Sequence, residues 1–166
     1  MFEKGELIVY GRNGVCLVED ITPMNMDGID SERLYYVLRP LNSQGSTIFT
    51  PIDNKKVPMR KIITKKEALE LIEHIPEIDV LTISNEKLCE EQYKAALQTC
   101  ECAEMVRVLK TIYLKKQKRI AAGKKMTSTD EKYFHMAENC LYTELSVLID
   151  IPKDKVEEYI TAKLEA

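Results

Sequence analysis

The chain has 166 residues, room for one large or two small domains, since typical domains hold roughly 100–200 residues and the smallest stable ones about 60. Apolar residues make up 45% and charged ones 31%, the balance of a folded globular protein, which excludes a disordered tail or a fibre. A formal net charge of -3 excludes a globally basic nucleic-acid binder and leaves local patches to decide.

The N-terminus (MFEKGE) lacks a basic region followed by an apolar core, and no stretch approaches the roughly 18 apolar residues of a membrane span. A cytoplasmic protein with no membrane partner is expected. Residues 6–10 (ELIVY) and 15–21 (VCLVEDI) are β-branched and aromatic and predict two strands of a hairpin. Between them, Asn13-Gly14 is the pair best suited to positive φ at both centres of a type I′ turn. Residues 23–32 are polar, contain Asp27-Gly28 and predict a loop. A third strand follows at 34–39 (LYYVLR), a turn at 42–45, and a fourth strand at 47–52 (TIFTPI), where Pro51 belongs on an edge because it cannot donate to a ladder. Short strands at short intervals predict a small barrel, with an SH3-like or Tudor-like barrel the size match.

After residue 60 the period changes. Thr64-Lys65-Lys66-Glu67 reads as a capping box opening a helix that contains Leu69 and Ile72, and Pro76 ends it. Residues 86–99 and 101–122 predict two more helices, the second with Met105, Val108, Leu109 and Ile112 on one buried face and Gly123 as its stop. Ser128-Thr129-Asp130-Glu131 reads as a second capping box, continued by Phe134, Ala137, Leu141, Leu145 and Leu148. A last helix is expected over 152–164, with proline in its first turn. The predicted fold class is α+β: a small SH3/Tudor-like β-barrel over residues 1–60, then an all-helical domain over 61–166.

Five cysteines, an odd set spread over strands and helices, argue against a disulfide framework, and Cys100-Glu101-Cys102 lacks the spacing of a zinc site. A thiol redox role for Cys100 and Cys102 stays open as a lesser reading. His74 and His135 lie on separate helices with no nucleophile motif, and phosphate-binding and metalloprotease motifs are absent. The expectation is therefore no enzyme, no cofactor, no metal and no small-molecule substrate.

Charge is unevenly distributed. Residues 105–125 carry Arg107, Lys110, Lys115, Lys116, Lys118, Arg119, Lys124 and Lys125 and no acid, which favours a phosphate-contacting surface. The alternative is a solvated helix end whose dipole attracts cations; it accounts for the residues near Gly123 and less easily for Arg107 and Lys110. Acids collect at Glu86, Glu90, Glu91, Glu101 and Glu104, where a phosphate backbone would be repelled.

Over residues 2–10 (FEKGELIVY), 11–14, 15–21, 34–38 (LYYVL) and 48–53 (IFTPID), the chain resembles the CarD/CdnL family of bacterial transcription regulators. Its first module is similar to the polymerase-binding domain of transcription-repair coupling factor. Residues 93–97 (YKAAL) and 115–119 (KKQKR) resemble the family's helical half. The resemblance implies a Tudor-like barrel that binds the RNA polymerase β subunit, and helices that contact promoter DNA and favour the open complex. On it, Leu34, Tyr36, Phe49 and Pro51 are the expected polymerase contacts. Lys115, Lys116, Lys118, Arg119, Lys124 and Lys125 are the expected contacts to the DNA backbone. The family's tryptophan wedge in the minor groove, a few residues before the tyrosine matched by Tyr93, is replaced here by Leu88 or Cys89, and Leu88 is the expected apolar wedge. Phe49 stands where an arginine is common on the fourth strand. Glu90, Glu91 and Gln92 stand where basic residues usually follow the wedge, so an alternative is a polymerase-binding adaptor with little or no DNA affinity.

Overall fold

A computed structural model describes residues 1–24, 28, 32–43, 45–83 and 85–165. Asp27 of the expected Asp27-Gly28 turn, and residue 44 of the 42–45 turn, lie outside the described residues. Strands β1 (Leu7–Tyr10), β2 (Val15–Pro23), β3 (Leu34–Pro40), β4 (Ile48–Pro51) and β5 (Met59–Lys61) form one antiparallel sheet in the order β4-β3-β2-β1-β5. Helices α1 (Lys65–His74), α2 (Cys89–Gln98), α3 (Cys102–Ala121), α4 (Ser128–Ile149) and α5 (Val156–Glu165) follow. This is the expected α+β order, a small antiparallel β module and then helices. No helix among the described residues is long and apolar enough to cross a membrane.

Alternation places the side chains. Ile8 and Tyr10 of β1 join Cys16, Val18, Tyr36 and Leu38 in the sheet's own core. Val9 and Val15 point the other way and are buried against Cys100, so β1 is covered on both faces. A larger core fills the helical half, centred on Tyr93, Met105, Ile112, Tyr133, Leu141 and Leu145. The predicted stripe of α3 is buried at Met105, Val108 and Ile112, with Leu109 at its margin.

Several local readings change. Asn13-Gly14 does not form a type I′ turn: Gly11–Asn13 is a 3-10 turn, and positive φ falls on Gly11 (49°) and Gly14 (73°), not on Asn13. Tertiary contact decides this, because the Gly11 N–H donates to the Pro58 carbonyl at 2.9 Å and draws the turn onto the segment leading to β5. A Cβ on Gly11 would lie 2.7 Å from Val57 Cγ1. Gly11→Ala is therefore expected to cost about 1–3 kcal/mol, strain and overpacking together, in chemical denaturation; a change below about 0.5 kcal/mol would show that the turn relaxes freely.

Strand β2 runs on to Pro23, past the expected end at 21, and carries a bulge between Val18 and Asp20. The switch in periodicity near 57–62 hides β5, three residues held by pairing with β1. The first capping box is present, with Thr64 accepting from the Glu67 N–H at 3.1 Å and Glu67 from the Thr64 N–H at 3.2 Å. The second is not. Thr127 caps α4 by accepting from the Asp130 N–H, and the Asp130 carboxylate turns inward.

Candidate functional site

The sheet ends at β4, which among the described residues pairs with β3 alone, so its other side offers main-chain groups with no strand partner there. Phe49 sits mid-strand, 51% exposed, opposite Val37 on the outward face. Leu34 is partly exposed and Pro51 half-buried, and Arg33 pairs with Asp53 at 3.0 Å at the strand's end. Tyr36, expected on this surface, is not there. Its cross-strand partner is Thr50; both face the interior at 1% exposure, and the Tyr36 hydroxyl accepts from the Phe2 N–H at 3.0 Å. Period-two alternation puts Phe49 and Tyr36 on opposite faces of the sheet.

The basic segment of α3 divides. Arg107 pairs with Glu104 at 3.0 Å, and Lys110 donates to the carbonyls of Ile75 and Ile78 beyond the end of α1. The two cations that argued most for phosphate are thus used internally. Lys115 is folded inward too, donating to Glu86 Oε2 at 2.9 Å, Asp130 Oδ1 at 3.1 Å and the Tyr93 hydroxyl at 3.2 Å. Burial depresses its pKa, but the hydrogen bonds it donates to Glu86, Asp130 and Tyr93 outweigh that and hold it above the usual lysine range. Asp130 is wholly buried. Its Oδ1 also accepts from the Tyr93 hydroxyl at 2.8 Å, while Oδ2 lies 3.1 Å from the Lys115 ammonium without a directed hydrogen bond.

Lys116, Lys118, Lys124 and Lys125 are exposed and take part in none of these pairs. Arg119, half-buried, donates through Nε to the Lys125 carbonyl at 2.6 Å, which folds the post-helix loop back on α3. At about 100° per residue, Lys116 and Lys118 lie on nearly opposite sides of α3, so the tip of the helix and not one flat face carries the charge. Leu88 is 43% exposed at the end of a 3-10 turn, whereas Cys89 is buried, so Leu88 alone could serve as a wedge; Glu86 and Glu90 flank it.

Residues 2–63 match the family model of the CarD-like/TRCF RID domain. The N-terminal module is of the CarD-like/TRCF RID type. The matched span takes in all five strands and ends just before α1. It supports an RNA polymerase-interacting, transcription-related protein. No curated protein matches the chain.

The RID-type module is tied to the helices by a buried charge cluster that sequence reading missed. Arg60 of β5 donates to Glu144 of α4 through both terminal nitrogens, at 2.8 and 2.9 Å, and through Nε to the Cys100 carbonyl at 2.8 Å. Glu144 is wholly buried and also accepts from the Ile63 N–H at 3.0 Å and the Cys102 thiol at 3.2 Å. Burial opposes the Arg60 charge, and the hydrogen bonds and charge of Glu144 more than restore it, so its pKa is raised. The trace in the sequence was slight, a glutamate on the apolar side of α4, 84 residues from an arginine where no strand was expected. A second tie runs from Asn42, which accepts from Thr143 at 2.7 Å and from Lys153 at 3.1 Å.

All five cysteines are free and buried. Burial, and then the Glu144 charge, push the Cys102 thiol up to about 12; burial raises Cys16 to about 12 and Cys140 to about 11. Each thiol loses its proton more readily in the unfolded chain, so stability is full below the ordinary thiol range and falls as pH rises from there toward 12. Denaturation midpoints measured from pH 8 to 11 should decline, and Cys102→Ser should flatten the decline; an unchanged profile would contradict these shifts. His74 and His135 are exposed, His135 beside Glu131 and Glu138.

Proposed function

We propose that this protein is a transcription regulator that docks on the RNA polymerase β subunit through the free edge of β4 and touches promoter DNA with the tip of α3 and the loop after it, modulating the open complex. The observation that carries the reading is the RID-type match over a sheet whose edge strand β4 has no second partner strand among the described residues and presents Phe49. Strand addition supplies main-chain bonds and Phe49 an apolar anchor. Lys116, Lys118, Arg119, Lys124 and Lys125 supply phosphate contacts. In this reading the chain is not an enzyme and works in the cytoplasm.

Phe49→Asp in the full-length chain is expected to reduce capture of the polymerase β subunit more than tenfold while leaving the melting temperature nearly unchanged, since an exposed substitution shifts stability by about 0.5 kcal/mol or less. Equal capture by the variant would remove the β4 edge from the interface.

A second reading, an adaptor with little DNA affinity, is favoured by the internal use of Arg107, Lys110 and Lys115 and by the acids around Leu88. Salt titration separates the two. Contact with phosphates gives a log-log slope of about -0.9 per phosphate, and each neutralised contact lysine, such as Lys124→Ala, should flatten it by about one. A promoter affinity that is absent or flat in salt supports the adaptor.

A further inference from the structure

Beside the middle of α3 lies an aromatic notch that the proposal above does not use. Leu109 and Tyr113 of α3, Phe134 and Tyr142 of α4, and Glu157 of α5 line a cavity of about 190 Å³, with Lys110 at one margin. Tyr113 is 54% exposed, and Ile120, two turns further along the same stripe, is 55% exposed. Lys116 lies between them on that stripe, exposed and outside every ion pair described for the chain. Large exposed side chains beside an unpaired cation call for an occupant that is flat and apolar on its face and anionic at its edge.

We infer that this notch takes an unpaired nucleobase of single-stranded DNA, stacked on Tyr113 with its phosphate held by Lys116. The inference rests on the reading that the tip of α3 meets DNA. The cavity is of the right order for one base, and three aromatic rings line it. Stacking on such rings tolerates any base, because every base has a π-face. Glu157 at the rim accepts hydrogen bonds and fits the exocyclic amine of cytosine, adenine or guanine, or the N3–H of thymine, on the edge that an unpaired base exposes. Burial, with the charges of Glu138 and Glu157, raises the Tyr142 phenol to about 12, so at neutral pH it keeps its proton as a donor. A duplex hides its bases, so the site is served only where strands have parted.

The test is fluorescence anisotropy of the full-length chain on three labelled oligonucleotides: a dC tract, the same length of abasic backbone, and a duplex. The wild type is expected to bind the dC tract about tenfold tighter than the abasic backbone. Tyr113→Ala should erase that ratio without weakening the abasic complex, and Tyr113→Phe should keep it. Lys116→Glu should weaken dC and abasic binding alike. If duplex binds in a salt-dependent way while dC and abasic tracts bind equally, the base notch is overturned and the regulator reading survives. A ratio that persists in Tyr113→Ala also overturns it. If none of the three binds, both fall, and the notch then belongs to a protein surface.

Discussion

Arg60→Ala is expected to cost about 3–5 kcal/mol of stability, enough to leave a domain of this size near its threshold. The substitution strands the Glu144 carboxylate, wholly buried, with only the Ile63 N–H and a weakly donating thiol to face it. It also frees the Cys100 carbonyl, at a residue held at φ 61°. The measurement is urea denaturation of the full-length chain, with the slope of the transition checked for constancy. Glu144→Ala should be costly as well, and the double substitution should cost clearly less than the sum, because the second change removes a charge already left without its partner. Additive losses, or a loss under about 1 kcal/mol for Arg60→Ala, would show that water reaches the pair and replaces its bonds.

Asp130→Ala is expected to cost about 3 kcal/mol and to strengthen nucleic-acid binding. The carboxylate holds the Tyr93 hydroxyl and the Lys115 ammonium at once, both inside the helical core. Without it the phenol is left buried without its acceptor. Lys115 keeps the Tyr93 hydroxyl, a neutral partner, and Glu86, whose side chain is 72% exposed and therefore a weak anchor. A lysine freed at this point of α3 joins Lys116 and Lys118 at the tip, so the salt slope of promoter binding should steepen by about one. The two readouts are separable: denaturation reports the lost bonds and DNA titration the released charge. A destabilised variant whose salt slope is unchanged would mean that Lys115 finds another internal partner.

What could be read from the residues was what is encoded locally. The Thr64–Glu67 box lies within one turn and forms as expected. The first four strands of the module are announced by their β-branched and aromatic runs and the α3 stripe by its spacing, and these are borne out because neighbours along the chain define them, whereas β5 is held by pairing with β1. Readings failed where a distant group intervened. Asn13-Gly14 favours a type I′ turn, yet the Pro58 carbonyl claims the Gly11 N–H and shifts positive φ onto the glycines. Ser128–Glu131 spells a capping box, yet Asp130 is drawn in by Tyr93, 37 residues away. An acid-free run of cations suggested one surface; Lys110 and Lys115 satisfy groups on other segments, which no local pattern encodes, and Arg107 pairs with Glu104 one turn back on its own helix. Leu88 over Cys89 as the exposed residue follows from the turn that precedes α2, which periodicity alone does not place.

The strap from β5 to α4 also governs reach. On the proposed reading, a module that grips polymerase and a helix tip that grips DNA, with Arg60 and Glu144 bolting one to the other, would behave as a caliper whose jaws keep their gap. Such a molecule would bridge the two proposed partners only where the double helix passes at that one distance, so a promoter whose path is displaced would itself have to bend to be held.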